Sequence, residues 1–229
     1  MERREKLITG EFYHIFSRSI ADFVVFNNDR DFFRMINLSQ YFQFRQRPRR
    51  FSDFIESWRS QEGNSNGGFK KFLLSKINNK NQIVQIIAYC LMPTHIHLIL
   101  KQLADNGISI FMGNLLNSYS RYFNTKHKRK GPLWESKFKN VLIDNDEQLL
   151  HLTRYIHLNP TTAFLVDAPE NWRFSSYNEY LGKIKAEEKI CQFEDILDIQ
   201  PNSYREFVND RIAYQRQLAE IHRLLIDKK

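Results

Sequence analysis

The stretch QIVQIIAYCLMPTHIHLILK, residues 82–101, decides how the chain is read. Its two halves, 82–91 and 95–101, are rich in residues of high β-propensity, and Met92-Pro93-Thr94 interrupts them. Consecutive strands, or one strand bent at the proline, account for that pattern. Side chains alternate along a strand, so His95 and His97 project from one face while Ile96 points the other way. Two imidazoles on one face can grip a divalent metal, although ordinary strands also carry His-x-His. The pair gains weight only with a third donor.

Outward from this stretch, residues 13–20 alternate apolar and polar and predict a first strand, and 29–44 predict a helix by their apolar spacing. Residues 45–80 read as a flexible surface excursion, because QEGNSNGGF holds three of the chain's eight glycines. Downstream, Ile108, Phe111, Met112, Leu115, Leu116, Tyr119 and Phe123 recur at three- and four-residue steps. They predict an amphipathic helix over 108–123, with Tyr119 in the core rather than in catalysis. A strand is expected at 138–143. Asp144 or Asn145 then caps a helix that carries Asp146 and Glu147 early and runs to Asn159, where Pro160 stops it. The order β, α, β, β, α, β, α implies an α+β sheet covered by helices, since neither a P-loop nor a GxGxxG opens any helix. Residues 203–226 predict one or two helices in a tail packed on the body.

The last helix supplies the third donor. Tyr155 and Asn159 are four residues apart, so phenol and carboxamide share one helix face, and an amide oxygen is a hard ligand suited to Mg²⁺ or Mn²⁺. Two imidazoles and one amide oxygen leave coordination positions open for phosphate oxygens. That is an arrangement for phosphodiester chemistry with Tyr155 placed to be the nucleophile, while for Tyr155 alone the competing reading is a tyrosine packed at a helix end with its hydroxyl satisfied.

Charge narrows the partner. Across 229 residues, 34 Lys and Arg oppose 26 Asp and Glu, a net charge of +8 that favours polyanions. Residues 183–229 hold nine acids and nine bases, so the excess belongs to residues 1–182. It concentrates in Arg121, Lys126, Lys128, Arg129, Lys130, Lys137 and Lys139, and again in YFQFRQRPRRF at 41–51, where four arginines interleave with four aromatics. Arginines beside aromatics suit single-stranded nucleic acid, while solvated helix ends are the competing reading. No apolar run approaches the roughly 20 residues of a membrane span. Residues 1–10 lack the apolar core of a signal peptide, and two cysteines, Cys90 and Cys191, build no disulfide framework. A cytoplasmic, nucleoid-associated setting is expected.

The strings YCLMPTHIHLIL (89–100), GPLWESKFKNVLI (131–143), YIHLNPTTAFLV (155–166) and NWRFSSYNEY (171–180), with a looser YHIFSRS near the start, resemble the single-tyrosine HUH transposases, and within them the REP-associated tyrosine transposases. The resemblance implies a ferredoxin-like or RRM-like antiparallel sheet with helices packed on it. It implies a catalytic domain over 1–182 with an insertion at about 45–80, and a C-terminal helical extension over 183–229. It makes His95 and His97 the HUH histidines, Tyr155 the nucleophile and Asn159 the metal-binding amide, with Mg²⁺ or Mn²⁺ as cofactor. The implied substrate is single-stranded DNA bearing hairpins, cleaved and rejoined through a 5′-phosphotyrosyl link by a monomer or homodimer. Arg18, Arg121, Lys126, Lys128, Arg129, Lys130, Lys137 and Lys139 would then hold the DNA backbone, and Trp134 would stack a base. Two departures touch DNA contacts: Ser19 and Ile20 follow Arg18 where relatives turn at a glycine, and Lys137 replaces a common arginine. A binding protein without strand transfer and a hydrolytic metallonuclease are the rival classes.

Overall fold

The structure, a computed structural model, describes residues 6–61, 68–77 and 81–226, with side chains described to 219. Strand β1 (Phe12–Arg18) leads to helix α1 (Asp29–Phe42), then α2 (Phe51–Gln61) and α3 (Phe69–Leu74). Next come β2 (Val84–Met92), β3 (His95–Gln102), α4 (Gly107–Lys126), β4 (Lys139–Ile143) and α5 (Asp146–Thr162). The short α6 (Tyr177–Tyr180), α7 (Pro201–Asn209) and α8 (Ile212–Ile226) close the chain.

The four strands pair in the order β2-β3-β1-β4, every pair antiparallel. With α1 and α4 as the two crossovers, this is the ferredoxin-like arrangement of the expected α+β fold. Pro93 and Thr94 form the turn between β2 and β3, so the interruption marks two consecutive strands. The register sets Lys139, Phe16, His97 and Cys90 in one row across the sheet. Directly opposed residues share a face, so His14, Phe16, Arg18, His95 and His97 lie together.

Their neighbours Tyr13, Ile15, Ile96, Leu98 and Leu100 are buried on the other face. Gln102 shares that second face and accepts the Ile108 backbone N–H at 3.1 Å, which docks the start of α4 there. Gly107 allows the approach: a Cβ at that position would meet the Ile83 carbonyl oxygen at 2.2 Å. Helix α5 covers the histidine face instead, where the Tyr155 ring stands edge-on to His97.

Residues 45–80 are not a structureless excursion. Phe51, Phe54, Ile55, Phe69, Phe72 and Leu73 are buried, and Phe54 packs on Phe72 at 5.1 Å between ring centroids. Apolar residues at helical spacing on either side of the glycines form α2 and α3 and extend the core. The glycine-rich stretch falls mostly at 62–67, outside the described residues.

Helix α5 also departs from expectation, because Pro160 lies inside it and the helix runs on to Thr162. A proline this close to the end sacrifices one backbone bond, and the Ala163 N–H still reaches the Asn159 carbonyl at 2.9 Å. The cap is Asn145, whose side chain accepts the Gln148 N–H at 2.8 Å, while the Gln148 side chain accepts the Asp144 N–H at 2.7 Å.

After residue 182 the chain first runs irregularly along β2, where the Gln192 N–H reaches the Ile86 carbonyl. Helices begin only at Pro201, and α7 and α8 pack on α5. The segment around Ser175 bridges Cys90, so the exposed edge of β2 is covered. Cys90 and Cys191 are buried free thiols. Among the described residues no helix is long and apolar enough to cross a membrane.

Candidate active site

His95, His97, Tyr155 and Asn159 line one cavity of about 440 Å³, with Phe16, Arg18, Glu135 and Lys139 among its other walls. Strand alternation aims the two imidazoles, and the four-residue helical step brings Tyr155 and Asn159 to the same wall. The His95 and His97 ring centroids are 5.1 Å apart. Tyr155 lies 6.0 Å from His97, ring to ring, and is 44% exposed, so it is open to solvent beside the histidines. Partial burial raises the pKa of its hydroxyl, with Arg18 pulling the other way, and it is a neutral phenol at pH 7.

Both histidines are oriented through Nδ1. Thr94 Oγ1 lies 3.0 Å from His95 Nδ1, and His14 Nε2 lies 3.0 Å from His97 Nδ1. Burial lowers His14 and His95 to about 4 and His97 to about 2, the last helped by the neighbouring His14, His95 and Arg18. All three are therefore neutral at pH 7, with lone pairs available. Neither His95 Nε2 nor His97 Nε2 has a hydrogen-bond partner among the described residues. The Asn159 Nδ2 is buried and likewise unpartnered.

Neutral imidazoles with free Nε2 atoms and an unengaged amide fit a hard divalent cation. Among the described residues no group of three or more His, Cys, Asp or Glu is arranged for a metal, so a cation held here would need the Asn159 amide as its third protein ligand.

His14 is the member that sequence reasoning missed. Alternation from buried Tyr13 puts it on the opposite face, but only the register Phe16↔His97 brings it beside His97.

The backbone-binding candidates divide. Arg18 and Lys139 open into the cavity, and Arg121 and Lys137 line the adjoining groove. Lys128 and Lys130 are exposed beyond the end of α4. Lys126 is paired at 2.6 Å with buried Asp31, and Arg129 is held by Asn124 and the Pro132 carbonyl. Trp134 is core, only 8% exposed, with its N–H donated to the Leu116 carbonyl, so it offers no face to a base. After Arg18 the turn adopts left-handed backbone at Ala21 and Asp22, φ 50° and 52°, without the expected glycine.

Helix α5 is held from behind. His157 is fully buried, with Nδ1 2.7 Å from the Tyr204 hydroxyl and Nε2 2.7 Å from Ser176 Oγ. Arg216 of α8 donates to the Thr161 carbonyl.

An antiparallel sheet that presents paired histidines to a helix-borne tyrosine is the class in view, and residues 64–159 match the family described as Transposase IS200 like. The chain resembles that family over 96 of its 229 residues. It is 29% identical over 114 residues to a Haemophilus influenzae protein that carries the name REP-associated tyrosine transposase. That match covers 45% of this chain and 62% of the relative, less than two thirds of its length. A solved structure of a REP-associated tyrosine transposase bound to a REP hairpin aligns with TM-score 0.45 and 16% identity, over 88% of this chain and 96% of that one.

Proposed function

We propose that the protein is a transposase that cleaves and rejoins single-stranded, hairpin-bearing DNA through Tyr155, with REP-type palindromic repeats as its substrate class. The observation that carries this reading is the convergence of His95, His97, Tyr155 and Asn159 on one cavity. The family match over residues 64–159 and the name of the curated relative support it.

His95, His97 and Asn159 would hold Mg²⁺ or Mn²⁺, which supplies Lewis-acid polarisation of the scissile phosphate when bound. The chain's own residues do the rest. Arg18 and Lys139 position the phosphate from the cavity rim. The Tyr155 oxygen attacks phosphorus as its proton passes to water, the bond to the 3′-oxygen breaks, and that oxygen takes up a proton from water and leaves as a free 3′-hydroxyl. The 5′ end stays as a phosphotyrosyl ester. One phosphodiester replaces another of similar energy, so a second 3′-hydroxyl reverses the step and joins new strands without ATP.

The test incubates the full chain with Mn²⁺ and a hairpin-bearing DNA strand, then resolves covalent adducts on a denaturing gel. Wild type forms an adduct and Tyr155→Phe forms none. An adduct that persists in Tyr155→Phe overturns the assignment. Cleavage that survives Tyr155→Phe without adduct marks a hydrolytic nuclease, and tight binding with neither marks a binding protein.

A further inference from the structure

The arginine run at 41–51 takes no part in the cavity described above. It folds instead against α1 and α4, on the other face of the sheet. There Arg34, Arg45, Arg47, Arg49, Arg50 and Arg121 line a single groove of about 980 Å³. None of the six is ion-paired with a carboxylate among the described residues.

Neutral groups orient them instead. Arg45 donates to the Asp105 carbonyl at 3.1 Å, Arg47 to the Phe44 carbonyl at 2.7 Å, and Arg49 to Ser57 Oγ at 3.0 Å. Arg34 stacks between Phe51 and Tyr122, at 4.9 and 4.6 Å from the ring centroids, and Arg47 lies 5.0 Å over Phe42. The loop itself is braced: the Tyr41 hydroxyl donates to the Arg49 carbonyl, and the Arg45 N–H reaches the Asn81 carbonyl at 2.9 Å. Six like charges without paired carboxylates, four of them held by these contacts, are costly alone and suit a polyanion.

The groove neighbours the active-site cavity by way of a second groove. It shares Asn114 and Arg121 with that groove of about 900 Å³, lined by Asn117, Ser120, Asn124 and Lys137. That second groove shares Ser136 with the cavity of Tyr155. The route turns from the histidine face round to the α4 face. A duplex, with a persistence length of about 150 base pairs, does not follow so tight a turn, whereas a single strand does.

We infer that this route carries the single strand flanking the scissile phosphate, and that the arginine groove is a second, sequence-independent DNA site anchoring that strand far from Tyr155. The inference rests on the proposed DNA-strand chemistry for its ligand class. Its local basis is the insertion at 45–80, which supplies four of the six arginines.

The experiment compares a minimal hairpin substrate with substrates carrying single-stranded extensions of increasing length on either side. The variant is Arg45→Gln/Arg49→Gln/Arg50→Gln. Wild type should bind an extended strand at least 10-fold tighter than the minimal one. In the variant that ratio falls to about one, and its log–log salt slope on the extended strand is lower by about 2, three phosphate contacts at roughly 0.7 each. The matching triple Arg→Lys variant restores most of the ratio, which separates lost charge from a damaged fold. An extension gain absent from wild type, or kept in the Gln variant, overturns the inference. Absence of adduct from wild type on every substrate overturns the catalytic reading instead, while the binding ratio still decides the groove.

Discussion

His14 Nε2 sits 3.0 Å from His97 Nδ1, with the two rings stacked at an interplanar angle of 16°. Both rings are neutral at pH 7, so one nitrogen donates and the other accepts. If His97 Nδ1–H is the donor, its Nε2 is left as a lone pair aimed at the cavity. His14 then fixes tautomer and orientation without touching the phosphate, the part that outer-shell partners of metal-bound histidines play.

His14→Phe should therefore weaken Mn²⁺ binding by about 10–100-fold, measured by titration calorimetry on the full chain. Adduct formation should fall in step and recover at high Mn²⁺, while hairpin binding measured without metal stays at the wild-type level. His14→Gln keeps an acceptor within reach and should lie between the two. Equal Mn²⁺ affinity in wild type and His14→Phe would remove His14 from the site.

Acid should destabilise the protein through His157. Burial lowers its pKa from 6.5 to about 3 in the folded chain. The unfolded chain thus binds a proton that the folded chain does not, and stability falls as pH drops below 6.5 towards 3. At pH 5 this contribution is about 2 kcal/mol from 1.5 pH units of linkage. Denaturant midpoints at pH 7.5 and 5.0 check it. The gap between wild type and His157→Gln should shrink on acidification by about that amount, and a constant gap would contradict the buried neutral imidazole.

The sheet and the placement of the candidate site residues were largely legible because two short-range rules carry them. Alternation put His95 and His97 on one face, and the four-residue helical step put Tyr155 beside Asn159. What escaped depends on contacts between distant segments. His14 is visible as a site residue only through the β1–β3 register. Trp134 looked like a base platform in a basic stretch, yet its partners are Leu116 and Tyr119 from α4. Glycine content at 61–68 hid the helical spacing of Phe51, Phe54 and Ile55 just before it and of Phe69, Phe72 and Leu73 just after. Pro160 was read as a stop, although one missing N–H near a helix end is a modest loss.

Asp31 ties α1 to α4. Its side chain is fully buried and receives Lys126 at 2.6 Å, the Tyr122 hydroxyl at 2.7 Å and the Asn27 N–H at 3.1 Å. These partners outweigh the desolvation and hold its carboxyl below the ordinary range, so the charge persists into mild acid. Asp31→Ala leaves the Tyr122 hydroxyl, the Asn27 N–H and the solvent-facing Lys126 without their acceptor and should cost about 1–3 kcal/mol in denaturant unfolding. Asp31→Asn, which keeps the shape and one acceptor oxygen, should cost less. A change below about 1 kcal/mol for Asp31→Ala would mean that Lys126 finds water or another acceptor at once.

Tyr204 is where the tail meets the helix that carries Tyr155. Its hydroxyl is 2.7 Å from His157 Nδ1 and donates to Thr153 Oγ1 at 2.9 Å, all three groups buried. An O–H has one proton: with that proton given to Thr153, the hydroxyl accepts from His157 Nδ1–H, and His157 Nε2 then accepts from Ser176 Oγ. Tyr204→Phe keeps the ring packing and strands the imidazole N–H, so it should cost about 1–3 kcal/mol. Combined with His157→Gln, the losses should fall short of additivity by about 0.5–3 kcal/mol, because either change alone breaks the same chain of bonds. Tyr155 lies outside that chain, so adduct formation at a temperature where both variants remain folded should fall only if loosening α5 displaces the nucleophile from the histidines. Full additivity would show that Tyr204 and His157 act on α5 independently, and that the tail braces the helix through packing alone.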